Sequence, residues 1–449
     1  VRVLIAGAGV GGLTAALSLH AAGIDVSVIE SAPALRPQGA GVKLLPHAVR
    51  ELTELGLGDG LAASGIPLAE TVHVDRYGNP IWRFACGRHA GYHWPQYSVH
   101  RGELQMILLD AVRSRLGPDA VRTGAAFVSF EESAAGVSVQ VRRGTKDGLT
   151  SLPADVLVGA DGLYSRVRAQ LHPSEPPPRW GGIRSWRGIT AGRPFHDGRT
   201  TAVMGSNAAQ KFVAFPISRK AELQGDALIY WAAEVLTHGD PDPGESAGWD
   251  RVGRAEDVLP WFAGWRSEWL DVPALITGAE RIFERPMVDR DPLPSWGSGR
   301  VTLLGDAAHP MYPTGSNSSS QAVVDARVLA YSLATATSPE EGLIAYEAER
   351  REKANAIVLA CRDLPADRML HLVSARAPDG FDQITDVLSA AELAAFEDAY
   401  LKTTLPDVAA LNARPSLSLL MARGRRSSTA PGPFHARVPG LMPSTQARG

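Results

Sequence analysis

Three short stretches of this chain place glycine turns beside carboxylates in a way that suits binding of a long, hydroxyl-rich, anionic ligand. The first is Gly7-Ala8-Gly9-Val10-Gly11-Gly12, with Glu30 following 18 residues after Gly12. In such a turn Gly7 permits the sharp bend, Gly9 lets backbone approach a pyrophosphate, and Gly12 lets helix pack on strand. The helix that follows points unpaired N–H groups at the anion, and Glu30 is placed to accept a hydrogen bond from a ribose hydroxyl. An acid at that point disfavours a 2′-phosphate, so the ligand reads as FAD or NAD rather than NADP. The second stretch is Gly159-Ala160-Asp161-Gly162, and the third is Gly305-Asp306-Ala307-Ala308-His309-Pro310. A fourth candidate, Arg101, sits in or near the first turn of a helix, where a cation opposes the helix dipole. Taken alone, each Asp is as readily a helix cap or a turn residue, and Arg101 is equally readable as an exposed arginine paired with Glu103.

The elements needed to position these groups are legible. Val3–Ala6 and Val26–Ile29 are short apolar runs suited to buried parallel strands, and Leu13–Ala22 between them reads as a helix. Together they form one βαβ unit of about 30 residues. Ala154–Val158 and Val301–Leu304 repeat the strand-into-turn design, the former followed by a helix from Ser165. Parallel strands of an open sheet share one carboxyl edge, so three turns far apart in sequence are expected to meet along one groove. Gly56-Leu57-Gly58-Asp59-Gly60 looks superficially like another glycine fingerprint, but it follows a helical segment and is expected to be a loop.

Composition excludes several other classes. The chain has 449 residues, 45% hydrophobic and 21% charged, with a formal net charge of −3, so it carries no basic footprint for nucleic acid. No stretch reaches the roughly 18 uninterrupted apolar residues of a membrane span. Val1–Ala22 has Arg2, an apolar run and small residues like a secretory leader, but four glycines interrupt the run and no leader is expected. Cys86 and Cys361 are the two cysteines, too few for a disulfide framework or a cysteine metal site; no metal is expected, and a reducing cytoplasm fits best.

The three fingerprints, in this order and spacing over about residues 1–360, resemble the single-component FAD-dependent aromatic hydroxylases (group A flavoprotein monooxygenases). The segments 96–105 (QYSVHRGELQ), Trp186-Arg187-Gly188 and 287–294 (MVDRDPLP) are most similar to the phenazine-modifying branch, typified by 5-methylphenazine-1-carboxylate 1-monooxygenase, itself similar to salicylate hydroxylases. The resemblance implies an α/β fold in which a Rossmann-like FAD-binding domain of the GR2 type (residues 1–72, 95–178 and 285–360) is interleaved with a mixed or antiparallel β-sheet substrate domain (73–94 and 179–284). By composition, residues 361–449 read as C-terminal helices and a Pro/Arg-rich tail containing Arg423, Arg425 and Arg426, a surface wrap or partly disordered.

By the same resemblance, Gly7, Gly9, Gly12 and Leu13 hold the FAD pyrophosphate, Glu30 and Ser31 the adenosine ribose, and Arg101 and Asp306 the ribityl–pyrophosphate region. Asp161 belongs to a motif tied to both FAD and the transient NADH or NADPH, and Arg36–Val42 lines the flavin, with Gly39 and Gly41 allowing close approach. After Pro313 the chain departs from the family's Gly-rich turn, reading Thr314-Gly315-Ser316-Asn317-Ser318-Ser319, with Ser318 where glycine is expected. A Cβ there either displaces the flavin ring or simply caps a helix; Gly315, Ser318 and Ser319 remain cofactor-binding candidates.

Gly181–Ile189, Thr201–Met204, Lys211–Phe215 and Leu228–Ala233 read as strands of the substrate sheet. Trp186, Met204, Phe212, Phe215, Tyr230 and Trp231 are candidate pocket walls, and Met311, Tyr312 and Pro313 are anchored near the flavin by the preceding motif. The expected activity is NAD(P)H- and O₂-dependent hydroxylation of a small aromatic, heteroaromatic or polycyclic substrate through a flavin C4a-hydroperoxide, with CO₂ release if attack falls on a carboxylated carbon. Cofactors would be bound FAD, transient NADH or NADPH, and O₂; the expected assembly is a monomer or homodimer without nucleic acid or membrane. No acid–base pair is obligatory in that chemistry. His309 and Tyr312 are candidate proton shuttles, a structural His309 being an equal reading, and Arg184 and Arg187 are candidate partners for a substrate carboxylate. The rivals are a flavin reductase or dehydrogenase that inserts no oxygen, and a degraded flavin-binding protein suggested by Ser318.

Overall fold

A computed structural model describes residues 1–37, 39–144, 148–237 and 251–418. The amino-terminal β-branched run forms the strand Arg2–Ala6, which is buried beyond its first residue and enters the helix Val10–Ala21 through the glycine turn. This strand pairs in parallel with Asp25–Ile29 on one side and Val156–Gly159 on the other. Val301–Leu303 and Val121–Arg122 extend the sheet in parallel at its two sides, and Gly297–Ser298 closes one edge antiparallel. The near-continuous apolar character of these strands follows from helices covering both faces. The helices Arg101–Leu116, Ser318–Thr335 and Pro339–Ala360 share this core, with Leu104, Leu108, Val323, Leu329 and Tyr346 buried in it.

An eight-stranded sheet makes the second layer. Its order runs Val252–Gly253, Ala279–Asp289, Arg179–Gly192, Ala227–Leu236, Gln210–Pro216, Thr200–Gly205, Glu70–Val74 and Pro80–Ala85. All pairs are antiparallel except Thr200–Gly205 with Glu70–Val74, so the sheet is mixed. The short strand Gly41–Leu44 pairs with Gln96–His100 and bridges the two layers: Ser98 Oγ donates to the Pro216 carbonyl at 2.5 Å.

The expected loop at Gly56–Gly60 is corrected. Gly56 turns with φ of +75°, but Gly58, Asp59 and Gly60 open the helix Gly58–Ser64. A Cβ on Gly60 would lie 3.3 Å from Ile107, so glycine there serves close packing of this helix on Arg101–Leu116.

Two further helices, Pro365–Arg376 and Ala390–Thr404, cover the eight-stranded sheet, and residues 405–418 run back along the helix Pro46–Glu54. Arg50 donates to the Leu411 carbonyl at 3.0 Å, Arg414 pairs with the fully buried Glu51, and Arg327 reaches Ser418 at 2.8 Å. The arginines 423, 425 and 426 lie outside the described residues. Among the described residues no helix is long and apolar enough to cross a membrane, and no group of three or more His, Cys, Asp or Glu is arranged to hold a metal. Both cysteines are buried thiols.

Candidate functional site: a dinucleotide cradle facing an aromatic sheet

The parallel register brings the expected turns together. Ala6 is level with Gly159 and with Ile29, and Gly159 is level with Leu303, so Gly7, Glu30, Asp161 and Asp306 all emerge at one sheet edge. Backbone bonds lock them side by side: Gly7 N–H to Ile29 O at 2.8 Å, Ala160 N–H to Ala6 O at 2.8 Å, and Leu304 N–H to Gly159 O at 2.9 Å.

The glycines of the first turn differ in what surrounds them. Gly7 has φ of +110°, and a Cβ on it would overlap the Ala160 carbonyl. A Cβ on Gly12 would overlap the Gly7 carbonyl oxygen, while one on Gly11 would lie 2.7 Å from Leu304. Around Gly9, by contrast, nothing lies within 4 Å of the added atom. Gly9 is also the N-cap of Val10–Ala21, with no side chain capping the free N–H groups. Open space at an uncapped helix start is the signature of a phosphate seat, and the residues present therefore fit a dinucleotide.

The Glu30 carboxylate accepts the Ala8 N–H at 2.9 Å and the Ala32 N–H at 2.8 Å, and Ser31 Oγ donates to it at 3.1 Å. It ties the first turn to the end of the second strand and stands beside the cradle. Leu13 is fully buried beneath it. Arg101 is the first residue of its helix, is exposed, and has no hydrogen bond or ion pair from its guanidinium among the described residues. Its side chain lies within 4 Å of where a Gly39 Cβ would stand, and Gly39 adopts φ of +128°. Arg36 is exposed and Val42 half-buried on the same approach. Gln105 of the Arg101 helix donates to Ala8 O at 2.7 Å and holds that helix against the glycine turn.

The second and third turns are braced from behind. Asp161 accepts from Ser165 Oγ and from the Arg166 N–H at 2.8 Å, capping the helix Arg166–Leu171; burial raises its pKa despite those bonds. That helix carries Arg168, fully buried, which donates to the Ala307 and Ala308 carbonyls at 3.0 and 2.8 Å and pairs with Glu175 at 2.5 Å. Sequence reasoning missed Arg168, which clamps the third turn to the second.

His309 lies at 1% exposure, its Nε2 2.6 Å from Asp325 Oδ2. Asp325 also accepts the Gly305 N–H at 3.1 Å and Arg350 Nε at 2.7 Å. Burial alone would raise the Asp325 pKa, but His309 and Arg350 outweigh it and hold the group down at about 2. Of the two expectations for His309, this geometry matches the structural one, a brace under Gly305–Pro310.

Asp306, half-buried, accepts the Ser318 hydroxyl at 2.6 Å. Ser318 begins the helix Ser318–Thr335, whose N-cap Asn317 offers no side-chain cap, so a second helix start is open toward the cradle. The serine at the family's glycine position thus neither caps the helix nor stands alone: it orients Asp306. Gly315 has φ of +73° and Ser316 φ of +61°, making a left-handed pair before that helix; Ser319 follows, half-buried.

Facing the cradle is one side of the eight-stranded sheet. Phe215 and Tyr230 lie on it with Ile217 and Ala232, packed against Ala40, their rings 4.9 Å apart. Met311 and Tyr312 are buried with Ile183, Met287 and Cys361 next to it, and Pro313 is exposed. Trp186, Met204, Phe212 and Trp231 are corrected as pocket walls: they fill a core with Val258, Phe262 and Ile276 on the opposite side. The reason is the pleat, since successive strand residues alternate faces; Phe212 and Phe215 are separated by an odd step. Arg184 is engaged by Glu284 and 44% exposed, whereas Arg187 Nε is buried without a hydrogen bond among the described residues.

Several residues at this face were not anticipated. Lys43 stands over the Phe215 ring at 5.3 Å. Lys211 is held by Asp367 at 2.6 Å and Asn207 at 2.8 Å. His73 stacks on Trp82 at 4.9 Å and is held near pKa 3 by burial and by the charges of Lys211 and Lys43, so it is neutral. Tyr400, from the helix Ala390–Thr404, meets Trp82 edge-on at 5.3 Å, and burial raises its pKa. Lys43 alone had a local signal: it directly follows the segment expected to line a flavin.

Comparison with known proteins agrees with the geometry. A family described as FAD binding domain matches residues 1–240 and 287–360. Phenazine 1,6-dicarboxylic acid hydroxylase PhzS of Lysobacter antibioticus is 48% identical over 363 residues, covering 80% of this chain and 89% of that protein. The 3-amino-4-hydroxybenzoate 2-monooxygenase PtnB3 of Streptomyces platensis is 35% identical over 355 residues, covering 77% of this chain and 83% of that one. Among solved structures, Klebsiella pneumoniae HpxO complexed with FAD and uric acid superimposes with a TM-score of 0.68 at 25% identity, covering 89% of this chain and 94% of the other.

Proposed function

The chain belongs to the FAD-dependent aromatic hydroxylases, the group A flavoprotein monooxygenases, and on that premise we propose that it hydroxylates a carboxylated, nitrogen-containing polycyclic aromatic using NADH or NADPH and O₂. The observation that carries the reading is the cradle open at Gly9 and facing the buried Phe215–Tyr230 pair, with the chain 48% identical to a phenazine 1,6-dicarboxylic acid hydroxylase.

FAD, when bound, supplies electron transfer from the nicotinamide and activation of oxygen. The protein's part is binding, orientation and exclusion of water. The uncapped helix starts at Val10 and Ser318 would receive the pyrophosphate and the flavin end, Glu30 the adenosine ribose, and Arg101 with Asp306 the stretch between. Phe215 and Tyr230, their rings inclined at 49°, would form an aromatic wall beside the substrate ring, with Met311 and Tyr312 closing one side against water. His309 and Asp325 keep the third turn in place rather than transferring protons. A monomer or homodimer in the cytoplasm, with residues 1–72, 95–178 and 285–360 holding the cofactor, completes the reading.

The test is oxygen accounting with FAD-loaded protein and phenazine-1,6-dicarboxylate. Substrate-stimulated NAD(P)H oxidation with one ¹⁸O atom from ¹⁸O₂ in the product is expected. Stimulated NAD(P)H oxidation that leaves no ¹⁸O in the product would overturn oxygen insertion, and a reduced aromatic formed without O₂ consumption would make the protein a reductase.

A further inference from the structure

We propose that Lys43 anchors a carboxylate of the aromatic substrate, so that the enzyme selects aromatic acids through a buried ion pair formed only with substrate in place; this rests on the hydroxylase reading above. Lys43 belongs to the strand Gly41–Leu44, and the two-residue period puts its side chain on the same face as Gly41. That face looks at the substrate sheet. A Cβ on Gly41 would lie 2.6 Å from Tyr230, and the Lys43 ammonium stands 5.3 Å from the Phe215 ring centre. Lys43 is half-buried.

The charges around it are unbalanced. No carboxylate among the described residues forms an ion pair with Lys43. The neighbouring Lys211 is already neutralised by Asp367, and His73 is neutral. Burial pulls the Lys43 ammonium down to about 8; Cys86 opposes this, and the repulsion of Lys211 adds to it. A desolvated cation without a counter-ion is an unfavourable arrangement, and an incoming carboxylate supplies the missing charge in a low-dielectric space where the pair is strong. An ammonium held over a buried aromatic ring matches the carboxylate of an aromatic acid that enters beside that ring. Arg184, one of the two arginines suggested by sequence, is occupied by Glu284; Arg187 is the remaining rival.

Isothermal titration of the FAD-loaded protein with phenazine-1,6-dicarboxylate and with uncharged phenazine tests this, in wild type, Lys43→Met, Lys43→Arg and Arg187→Met. Wild type is expected to prefer the acid about tenfold or more. Lys43→Met should lose about 10–100-fold on the acid, as for a charge-assisted hydrogen bond, with phenazine binding and FAD content unchanged. Lys43→Arg should recover part of the loss. The proposal is overturned if wild type has no preference for the acid, or if Lys43→Met leaves acid binding intact. It is equally overturned if that variant weakens both ligands alike, if it weakens FAD instead, or if the selective loss appears only in Arg187→Met. Because binding is read directly, the result stands apart from the ¹⁸O measurement: a protein that binds the acid through Lys43 but inserts no oxygen keeps this anchor and loses the hydroxylase reading.

Discussion

Gly9 and Gly12 are three residues apart in one turn, yet the structure assigns them opposite sensitivities, and Gly→Ala at each separates cofactor binding from folding. At Gly9 the backbone has φ of −72° and ψ of −177°, a conformation any residue adopts, and the new methyl meets nothing within 4 Å. Replacing glycine restricts the unfolded chain and stabilises by about 0.4–1 kcal/mol, while alanine is a poorer N-cap than glycine by about 0.5–1 kcal/mol. The two nearly cancel, so the cofactor-free protein should melt within a few degrees of wild type. The same methyl stands where a pyrophosphate must approach the helix start. Loss of one charge-assisted hydrogen bond to that anion is about 1.5–3 kcal/mol, or about 10–100-fold in the FAD dissociation constant. At Gly12 the methyl would overlap the Gly7 carbonyl oxygen, which is backbone and cannot rotate away. Overpacking of that kind costs about 1–3 kcal/mol, and it should appear in the cofactor-free protein itself. The assay is a thermal melt of each cofactor-free variant followed by titration with FAD, read by quenching of flavin fluorescence. Wild-type FAD affinity in Gly9→Ala would refute the assignment of the phosphate seat. Equal destabilisation of both cofactor-free variants would refute the geometry of the turn.

Two further outcomes follow from the braces beneath the cradle. The Asp325 carboxyl lies below its unfolded value, at about 2, so the stability it contributes is present above about pH 4 and is lost as pH falls toward 2. Asp325→Asn should cost about 3–5 kcal/mol at pH 7, as for a broken buried ion pair, and the gap to wild type in urea unfolding should narrow by about 1 kcal/mol between pH 6 and pH 3; a gap independent of pH would show that Asp325 titrates normally. Ser318→Ala frees Asp306 from its hydrogen bond and should weaken FAD binding about 2–10-fold, whereas Ser319→Ala, which removes no hydrogen bond among the described residues, should leave it unchanged. Tighter FAD binding in Ser318→Ala would mean that the serine obstructs the flavin instead of orienting Asp306.

The cofactor side was legible in the sequence because each of its parts is local. A strand, a glycine turn and a helix start within about 30 residues define Gly7, Gly9, Gly12 and Glu30, and parallel strands share an edge, so Asp161 and Asp306 could be placed beside them before any coordinate was known. What could not be read there was how each group is held. Asp161 caps a helix and stands at the sheet edge at once, so the two readings weighed against each other are compatible. Arg168, Asp325 and Arg350 carry no motif, because Arg168 and Asp325 satisfy backbone groups 140 and 20 residues distant and Arg350 in turn holds the Asp325 carboxylate. On the substrate sheet the strands were legible but their facing was not. Tyr230 and Trp231 are adjacent, both aromatic and both buried, and only the register decides that Tyr230 faces Gly41 while Trp231 packs with Phe212.

The carboxyl-terminal helices give the same lesson in its strongest form. Residues after 360 lie beyond the family match; their pattern suggested helices to about Leu401 and a surface wrap or partly disordered tail from Pro406 onward, with no word of what the helices touch. Those helices send Asp367 to Lys211, Tyr400 onto Trp82, and the Thr404 carbonyl to Asn317 at 3.5 Å beside the turn at Gly315 and Ser316. Each of these contacts spans 87 to more than 300 residues of chain, so no local pattern announces it. Their effect is nonetheless local to the site. Asp367 neutralises the buried Lys211 and leaves Lys43 without a carboxylate partner among the described residues, so a segment outside the family match helps set the charge that this face presents. Selectivity can therefore reside in the helices that close this face as much as in the sheet itself.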